Sequence, residues 1–440
     1  MTDFIDGLAR CNDKTLENLN LGNNRLSGNL PDSLGNLKKL RMSGIPESFG
    51  QLSKLVAANL SDNLWEGVVT ERHLANLSCL MDLNLHWFLP LNLQLDELDV
   101  GYNQLTSEPP TSLMFLDVRA NVDLSSNLYE GPLTMWSTNV TTLYLRDNRF
   151  SGPIPPNISK LMPYLTDLDI SQNALNATIP LSIGNMTTLT TVVISKNYLS
   201  GEIARFWSDL SLLYIFDMSN NNLSGPIPSE VSLLSSLMFF IVSKSNLSGE
   251  LPSSLQNCSS LASLNLGNNR FSGNIPAWIA GSIPSLLILC LWSNLFSGEI
   301  PTQICRLSNL HIVDLSHNSL SGSIPVCIGN LMGLKVELTN ADRVRYQGRL
   351  TVVAKGKILQ YDERILYLVN SLDLSDNRLS GEIPEALMSL VRLWTLNLSI
   401  NHLIGKILVD IGNLERLETL DLSNNNLSGL IPRSMTTLTS

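Results

Sequence analysis

The stretch LASLNLGNNRFSGNIP, residues 261–276, decides the fold because its pattern returns along the chain. Residues 310–325, LHIVDLSHNSLSGSIP, repeat the same pattern, L-x-x-L-x-L-x-x-N-x-L-x-G-x-I-P. Its asparagine recurs at steps of 24 or 25 residues, with one serine in the series: Asn173, Asn197, Asn221, Ser245, Asn269, Asn294 and Asn318. A fixed period of this size predicts a solenoid of stacked coils.

Each position of the pattern has a structural role. In L-x-x-L-x-L the apolar residues alternate with variable ones, which predicts a short strand with leucines inside and variable side chains outside. The asparagine is expected to satisfy backbone groups of the following turn, since its amide both donates and accepts. Glycine permits a bend, and proline sets an extended segment. We therefore predict a leucine-rich repeat solenoid with plant-type 24-residue repeats, an α/β superhelical arc with a parallel sheet on its concave face.

The spacing of the repeats divides the chain into three segments. Residues 1–332 carry leucine-rich repeats, which are irregular before about residue 122. An island insert then occupies residues 333–368, and C-terminal leucine-rich repeats follow over residues 369–440. From Lys335 to Val369 the chain has seven Lys or Arg against four Asp or Glu. Residues 349–361 are rich in strand-forming side chains, which predicts a small hairpin within the insert.

Charge and hydropathy exclude several classes of function. The net charge of −10 argues against binding to nucleic acid, which requires a basic surface. No run of 18 apolar residues occurs, so we expect no membrane segment in this chain. The first ten residues lack the apolar stretch of a secretory signal peptide.

The chain lacks the short motifs that mark catalytic and metal sites. There is no G-x-S-x-G, no phosphate-binding G-x-x-x-x-G-K-[ST], and no C-x-x-C or H-E-x-x-H spacing. His311 and His317 fall at variable positions of one coil, and the aspartates before Leu-Ser belong to the repeated D-L-S phrase. We expect no catalytic residue, no metal and no cofactor, and therefore no enzyme.

Apolar side chains at outward strand positions suggest a binding surface instead. They are Phe239, Ile241, Ile288, Cys290, Trp292 and Ile312, on a face otherwise filled by Asp, Ser, Thr and Asn. Exposed aromatic side chains on a rigid surface are typical of protein-binding sites. The alternative is that some of them pack against neighbouring coils at the edge.

Cations of the insert complete the predicted binding site. If the insert docks on the solenoid, Arg349 and Lys355 would lie over the acidic concave face, beside Trp292 and Ile312. A ligand would then be held between the insert and the inner surface. The alternative is a solvated insert that merely covers the solenoid.

The L-x-G-x-I-P extension and the insert carry a resemblance to a known family. The insert runs from Tyr346-Gln347-Gly348-Arg349 to Tyr361 and is followed by VNSLDLS at residues 369–375. It resembles the island region of plant receptor-like proteins, in particular the group that includes receptors for fungal ethylene-inducing xylanase. That family has a signal peptide and cap before the repeats and a transmembrane helix after them. By this comparison the chain is truncated at both ends.

The resemblance implies a function and partners. Such a protein perceives microbial or self-derived ligands at the extracellular face of the plasma membrane and takes part in defence and innate immunity. It signals through partner kinases because it has no kinase domain. The implied partners are a protein or peptide ligand, such as a microbial wall-degrading enzyme, and a co-receptor kinase.

Two other functions remain open at this stage. One is a secreted inhibitor of microbial cell-wall-degrading enzymes of the polygalacturonase-inhibitor type, which uses the same repeats without an anchor. Such inhibitors are usually shorter and have no island, so the insert favours the receptor. The other is a non-functional truncated relative.

Two kinds of covalent modification are also predicted. The chain has eleven N-x-S/T sequons, and we expect glycans mainly off the concave face, for example at Asn157 and Asn185. Cys305 and Cys327 occupy corresponding places in adjacent coils, where we expect a disulfide in an oxidising compartment. Cys290 is expected to stay a free thiol.

Overall fold

The computed structural model describes most of the chain from residue 120 onward and short strands before it. The described residues are 18–20, 57–59, 82–84, 97–99, 101–103, 106–107, 120–133, 139–205, 209–336, 350–354, 357–361 and 369–438. They belong to two units, Met1–Ser200 (unit 1) and Gly201–Ser440 (unit 2). Most of the region expected to be irregular, before residue 122, lies outside the described residues.

Unit 1 contains a row of short parallel strands, one for each described coil. These strands are Asn18–Asn20, Ala57–Asn59, Asp82–Asn84, Glu97–Asp99, Asn121–Asp123, Thr142–Tyr144, Asp167–Asp169 and Thr191–Val193. A second sheet on the flank of the coils contains Thr106–Ser107, Leu128–Pro132, Arg149–Pro153 and Ala174–Asn176. The outer side has a short α-helix, Ile158–Leu161, and a 3-10 helix, Leu181–Asn185. The coils whose row strands begin at Glu97, Asn121, Thr142 and Asp167 therefore contribute one strand to each sheet, and the last two of them continue into a described helical turn.

Unit 2 repeats this arrangement with a longer described part. Its strand row is Ile215–Asp217, Phe239–Ile241, Ser263–Asn265, Ile288–Cys290, Ile312–Asp314, Ser371–Asp373, Thr395–Asn397 and Thr419–Asp421. The flank strands are Asn222–Gly225, Asn246–Gly249, Arg270–Asn274, Leu295–Glu299 and Ser319–Ser321, and separately Ser380–Glu382 with His402–Ile404. Ser200–Glu202 is a strand at the unit boundary. The parallel strand row and its coil period confirm the predicted leucine-rich repeat solenoid in each unit.

The outer side of unit 2 carries one helical turn for each described coil, except that the coil of Ile312–Asp314 has two. The 3-10 helices are Ser229–Leu233, Ser253–Asn257, Thr302–Arg306, Val326–Asn330, Met332–Leu334, Glu385–Ser389, Val409–Asn413 and Arg433–Thr437, with an α-helix at Trp278–Ser282. The insert contributes an antiparallel pair of strands, Leu350–Ala354 and Lys357–Tyr361, as the hairpin prediction required. The boundaries of the insert at 333 and 368 remain a prediction.

The core lies between the strand row and the helical turns. Leu264 and Leu289 pair in register on neighbouring strands, and both are fully buried. Aromatic residues continue this stacking on the flank side, where the rings of Phe271 and Phe296 lie 6.5 Å apart. Each fully buried leucine stabilises the fold by about 2 kcal/mol, so the repeated leucines supply the driving force for stacking.

The repeated asparagines form a hydrogen-bonded ladder between coils. The Oδ1 atom of Asn377 accepts the Leu320 N–H of the preceding coil at 2.9 Å. Its Nδ2 atom donates to the Leu315 carbonyl of that coil at 3.0 Å and to the Leu374 and Ser375 carbonyls of its own coil. Other ladder asparagines likewise accept an N–H of the preceding coil through Oδ1 and donate to a carbonyl of that coil through Nδ2. They are Asn148, Asn173, Asn197, Asn269, Asn294, Asn318, Asn401 and Asn425.

The residue before each ladder asparagine has a left-handed backbone. Ile400 has φ +54°, and apart from Tyr102 the other described residues at this position are short, polar or flexible: Ser126, Asp147, Gln172, Lys196, Asn220, Lys244, Asn268, Ser293, His317, Asp376 and Asn424. The glycine of L-x-G-x-I-P is left-handed too, for example Gly273 with φ +82°. A β-branched side chain is strained in this region, whereas asparagine tolerates it.

We therefore expect Ile400→Asn to stabilise the protein by about 1 kcal/mol. Ile400 is 47% exposed, so the loss of its apolar side chain costs little. Chemical denaturation measures the change in the free energy of unfolding. Ile404→Asn is the matched control, because Ile404 is 49% exposed but lies in a flank strand. Equal effects of the two substitutions would contradict this account.

Candidate functional site

The outward side chains of unit 2's strand row form one continuous surface, which we call the strand face. Strand pairing places Ile215, Phe239 and Ser263 in register, and then Ile288 and Ile312. A parallel row runs through Ile241, Asn265, Cys290, Asp314 and Asp373. The fold thus brings together the apolar residues that the sequence singled out.

The prediction that these residues are exposed is wrong for most of them. Phe239 and Ile241 are each 4% exposed, Ile288 is 3% exposed, and Ile312 is fully buried. Cys290 is 1% exposed. Part of the reason is lateral packing, since neighbouring strands in a parallel sheet lie only about 4.8 Å apart. Among the predicted contact residues with described side chains, Trp292 alone is half-buried.

Burial of the strand face is greatest in the middle of unit 2's strand row. The outward residues Ser263, Ile312 and Ser371 are 2% exposed or less, and burial decreases toward Thr419 and Asp421, which are half-buried. In unit 1 the equivalent outward residues are half-buried or exposed: Asn121, Asp123, Thr142, Tyr144, Asp167, Asp169, Thr191 and Val193. The outward positions of the strand row are therefore more deeply buried in unit 2 than in unit 1.

Trp292 lies against a glycine of the preceding coil. A Cβ atom placed on Gly267 would lie 2.6 Å from the indole Cε2 atom and closer still to Nε1. The Trp292 carbonyl accepts the Asn268 N–H at 2.6 Å and an Asn294 Nδ2–H at 3.1 Å, which fixes the backbone beneath the ring. The indole is therefore held in a notch that only glycine provides.

Two carboxylates face each other in the buried part of the strand face. Asp314 and Asp373 are in register on neighbouring strands. Each Oδ1 atom accepts the N–H and the hydroxyl of the serine two residues on, Ser316 or Ser375. Burial, together with the facing Asp373 carboxylate, raises the pKa of Asp314 to about 7. Burial also raises the pKa of Asp373.

Polar groups at the edge of the strand face do not form a metal site. His317 Nδ1 lies 2.6 Å from Asp376 Oδ2 in an exposed pair. Within the part of the chain that the structure describes, no group of three or more His, Cys, Asp or Glu side chains could hold a metal ion. His311, the other histidine of this coil, is buried beside the Ile312–Asp314 strand.

Unit 1 carries a separate polar cluster on its own strand row. Tyr102 and Arg146 are hydrogen-bonded, with the guanidinium 5.8 Å from the ring centroid. Burial and then the Asp167 carboxylate raise the pKa of Tyr144 to about 12. Burial raises the pKa of Asp123. This cluster is not evident from the sequence, since its members occupy variable positions of different coils.

The cysteines take the arrangement expected from their coil positions. Cys305 and Cys327 form a disulfide with Cα atoms 5.7 Å apart, on the outer side of adjacent coils. Cys258 and Cys290 are free and buried. Burial, and then Asp314, raises the pKa of the Cys290 thiol, which makes it a poor nucleophile.

The predicted sites of glycosylation differ in accessibility from a strand-face sequon. Asn157 precedes the helix Ile158–Leu161, Asn185 ends a 3-10 helix, and both are exposed. The strand-face Asn397 instead donates to Asp373 Oδ2 at 3.1 Å and accepts from Ser399. Its side-chain nitrogen is engaged, so this sequon is a poor acceptor.

Arg349 and Lys355, the predicted insert cations, lie outside the described residues. The position of their side chains relative to Trp292 therefore stays a prediction.

In the described parts of the chain, no helix has the length and apolar character needed to cross a membrane.

Comparison with protein families and curated proteins agrees with the repeat pattern. The Leucine Rich Repeat family model matches residues 15–37, 139–161, 212–234, 260–282, 309–331, 369–390 and 416–438. Receptor-like protein EIX2 of Solanum lycopersicum is 34% identical over 156 residues, 34% of this chain and 15% of that protein. Receptor-like protein 35 of Arabidopsis thaliana is 30% identical over 184 residues, 40% of this chain and 18% of that protein. The matches thus span less than a fifth of these relatives' length.

Solved structures with the same fold include plant receptor ectodomains. The Arabidopsis receptor kinase HAESA, in complex with the peptide hormone IDA and the co-receptor SERK1, is 30% identical with a TM-score of 0.67. That match covers 96% of this chain and 64% of HAESA. The plant peptide hormone receptor RGFR1, in complex with RGF2, is 27% identical with a TM-score of 0.62, covering 97% of this chain and 77% of RGFR1. The chain is therefore similar to plant receptor-like proteins in sequence and to peptide-hormone receptors in fold.

Proposed function

We propose that this chain, a leucine-rich repeat protein similar to plant receptor-like proteins, is the ligand-recognition part of a cell-surface receptor. It binds a protein or peptide ligand at the extracellular face of the plasma membrane and acts in defence signalling through partner kinases. The ligand complexes of HAESA and RGFR1 support a peptide ligand, and the SERK1 complex supports a co-receptor kinase.

The deeper burial of unit 2's strand face is the observation that carries the proposed binding site. We place the insert across the strands from Ser263–Asn265 to Ser371–Asp373, where burial is greatest. In sequence the insert lies between the outer helical turn Met332–Leu334 and the strand Ser371–Asp373, which belongs to the buried region. Its excess of Lys and Arg is complementary to the buried carboxylates.

In this arrangement the predicted contact residues have two roles. Phe239, Ile241, Ile288 and Ile312 form the apolar floor on which the insert rests. Trp292, half-buried in the strand row, contacts the ligand together with Arg349 and Lys355 of the insert. An insert of about 35 residues is tolerated in a solenoid when it packs back on the body, which the apolar floor permits.

Thiol labelling tests whether the insert covers the strand face. Cys290 is outward but buried, whereas Cys258 is buried within the coil. We expect a maleimide to label Cys290 much faster after residues 337–368 are replaced by a Gly-Ser linker, because its cover is gone. Peptide mass spectrometry resolves the two sites, and unchanged protection of Cys258 shows that the coils remain folded. A Cys290 that stays protected would show that the insert is not the cover.

Ligand binding is tested with a purified fungal xylanase, chosen because the insert resembles the island region of the receptors for fungal ethylene-inducing xylanase. We expect simultaneous Trp292→Ala, Arg349→Ala and Lys355→Ala to weaken binding tenfold or more, roughly 1.4 kcal/mol, as measured by biolayer interferometry. A control variant replaces an exposed aromatic residue and two exposed cations elsewhere: Tyr198, Arg270 and Lys406. This control should bind as the wild type does.

The outcomes of this experiment separate the parts of the proposal. Equal affinity of the triple variant and the wild type, with equal denaturation midpoints, would remove the insert and Trp292 from the site. Xylanase that fails to bind the wild type would exclude this enzyme as ligand. Inhibition of polygalacturonase by the wild type would favour a secreted inhibitor over a receptor.

Glycans at Asn157 and Asn185 are part of the same proposal, because a receptor ectodomain passes through the secretory route. Both side chains are exposed on the outer side of unit 1. Mass spectrometry of plant-expressed protein with a signal peptide should find both modified and Asn397 bare. Two unmodified asparagines in secreted protein would contradict this assignment.

A further inference from the structure

The coils around Trp292 depart from the repeat at three adjacent outward positions. The second residue after the end of each strand in the row is otherwise serine in unit 2: Ser219, Ser243, Ser316, Ser375, Ser399 and Ser423. Gly267 and Trp292 replace that serine in two consecutive coils. Cys290 replaces the Asp or Asn that accepts from this serine in most coils, as Ile241 also does two coils earlier. Gly267 and Trp292 are the two residues that replace the serine itself, and they contact each other, which indicates a local structure rather than scattered drift.

The residues Gly267, Cys290 and Trp292 are physically compatible with one another. At Ser316 the hydroxyl and the N–H both bond to Asp314 Oδ1, so serine closes a small ring on the strand face. Cys290 offers no such carboxylate or amide acceptor. Gly267, without a side chain, leaves the space into which the Trp292 indole turns. The indole consequently lies flat against backbone, and a half-buried ring keeps part of its surface toward solvent.

We propose that the Trp292 indole, seated on Gly267, is a subsite for an apolar ring of the ligand, the side chain of a proline or aromatic residue in an extended peptide. This inference rests on the proposed binding function and names the chemistry that the site takes. Of the two outward residues in register with Cys290 beside the ring, Asn265 is uncharged and Asp314 is buried with its carboxyl bonded to Ser316. Lys244, two coils before Trp292 in the left-handed row, disfavours a cationic group there.

The row of left-handed residues beside Trp292 supports a peptide rather than a compact ligand. Asn268 and His317 are exposed, and Ser293 between them is half-buried. Their side chains provide donors and acceptors at the spacing of neighbouring strands, about 4.8 Å. An extended peptide crossing the coils can hydrogen-bond along this row while one ring stacks on the indole. Stacking of such rings contributes binding energy beyond the buried area.

The glycine provides the decisive variant. Gly267 has an ordinary negative-φ backbone, since it is absent from the left-handed glycines, so Gly267→Ala creates no backbone strain. The added methyl group occupies the place of the indole and must displace it, although Trp292 itself is unchanged. If Trp292 had only a structural role, Gly267→Ala would reduce stability without a specific effect on binding. If the indole is a subsite, both Gly267→Ala and Trp292→Ser should lose ligand binding, which is the result we expect.

A display library of random twelve-residue peptides, selected on the immobilised wild-type chain, is the probe. We expect enriched peptides to share a proline or aromatic position and to bind Gly267→Ala and Trp292→Ser at least tenfold more weakly. Trp292→Phe should retain most of the affinity. The control is Trp394→Ala, which removes another half-buried tryptophan at the edge of the strand face. Denaturation midpoints establish that each variant is folded.

Each result decides for or against the subsite. Unchanged peptide affinity of Gly267→Ala would overturn the proposal, as would enriched peptides without a shared ring or a selection that enriches nothing. If xylanase binds and its binding ignores Gly267→Ala, the receptor function stands and the ring subsite falls. If the peptides bind through Trp292 while xylanase does not bind, the subsite stands and the xylanase ligand falls.

Discussion

Asn377→Ala is expected to lower the free energy of unfolding by about 3 kcal/mol. The substitution leaves the buried Leu320 N–H without its acceptor and removes a donor from three carbonyls, those of Leu315, Leu374 and Ser375. Each buried polar group left unsatisfied costs about 1–3 kcal/mol. Asn377 also joins the coils on either side of the insert. In sequence these two coils are connected by the insert rather than by a repeat of ordinary length. Chemical denaturation and hydrogen exchange at the Leu320 amide measure the loss.

Ser245 interrupts the asparagine ladder, so replacing it with asparagine is the reverse of the Asn377→Ala test. Ser245 stands where other coils have asparagine, and its buried Oγ atom has no hydrogen-bond partner. Ser245→Asn can reach the Leu223 N–H and the Met218 carbonyl as the other ladder asparagines do, so we expect a gain of about 1 kcal/mol. A loss of under 1 kcal/mol in Asn377→Ala, with no gain in Ser245→Asn, would show that the ladder contributes little.

The inward half of each coil could be predicted because every repeat gives its residues the same neighbours. Leu264 faces Leu289 as the pattern requires, and Asn377 bonds to the coil before it even across the insert. The disulfide position followed from the same register, since Cys305 and Cys327 occupy corresponding places. Periodicity determines these contacts without knowledge of the rest of the molecule.

The outward half could not be predicted in this way. Whether Phe239 or Ile312 is exposed depends on what lies over the strand face, and that is not part of the repeat. The seat of Trp292 depends on Gly267, one coil earlier, so it becomes visible only when coils are compared position by position. The left-handed row was also missed, although short polar residues before most ladder asparagines indicated it.

The buried carboxylates predict that the protein is more stable at pH 5 than at pH 8. Asp314 has a folded-state pKa of about 7, above the usual value of an unfolded chain, because of burial and the facing Asp373. Between about pH 4 and pH 7 the folded state therefore binds more protons than the unfolded state. The free energy of unfolding falls as pH rises through this window and levels off above it. The expected difference is on the order of 2 kcal/mol.

Asp314→Asn tests this prediction, because the amide mimics the protonated acid and keeps an oxygen for Ser316. We expect the variant to lose much of the pH dependence and to exceed the wild type in stability at pH 8. Asp421→Asn is the matched control: Asp421 makes the same bond to the serine two residues on, at 3.0 Å, but lies in a half-buried strand. Both substitutions create an N-L-S sequon, so the proteins are produced in a host without N-glycosylation.

The other charged groups near the pair determine how the result is interpreted. His317 lies close enough to lower the pKa of both aspartates, and it pairs with Asp376 at the exposed edge. His317→Gln should therefore raise the pKa of both aspartates further, because it removes the imidazole that lowers it. Denaturation midpoints of the wild type and these variants from pH 5 to pH 8 resolve the contributions. A wild type whose stability is constant over this range would show that the Asp314 and Asp373 carboxylates are solvated rather than buried.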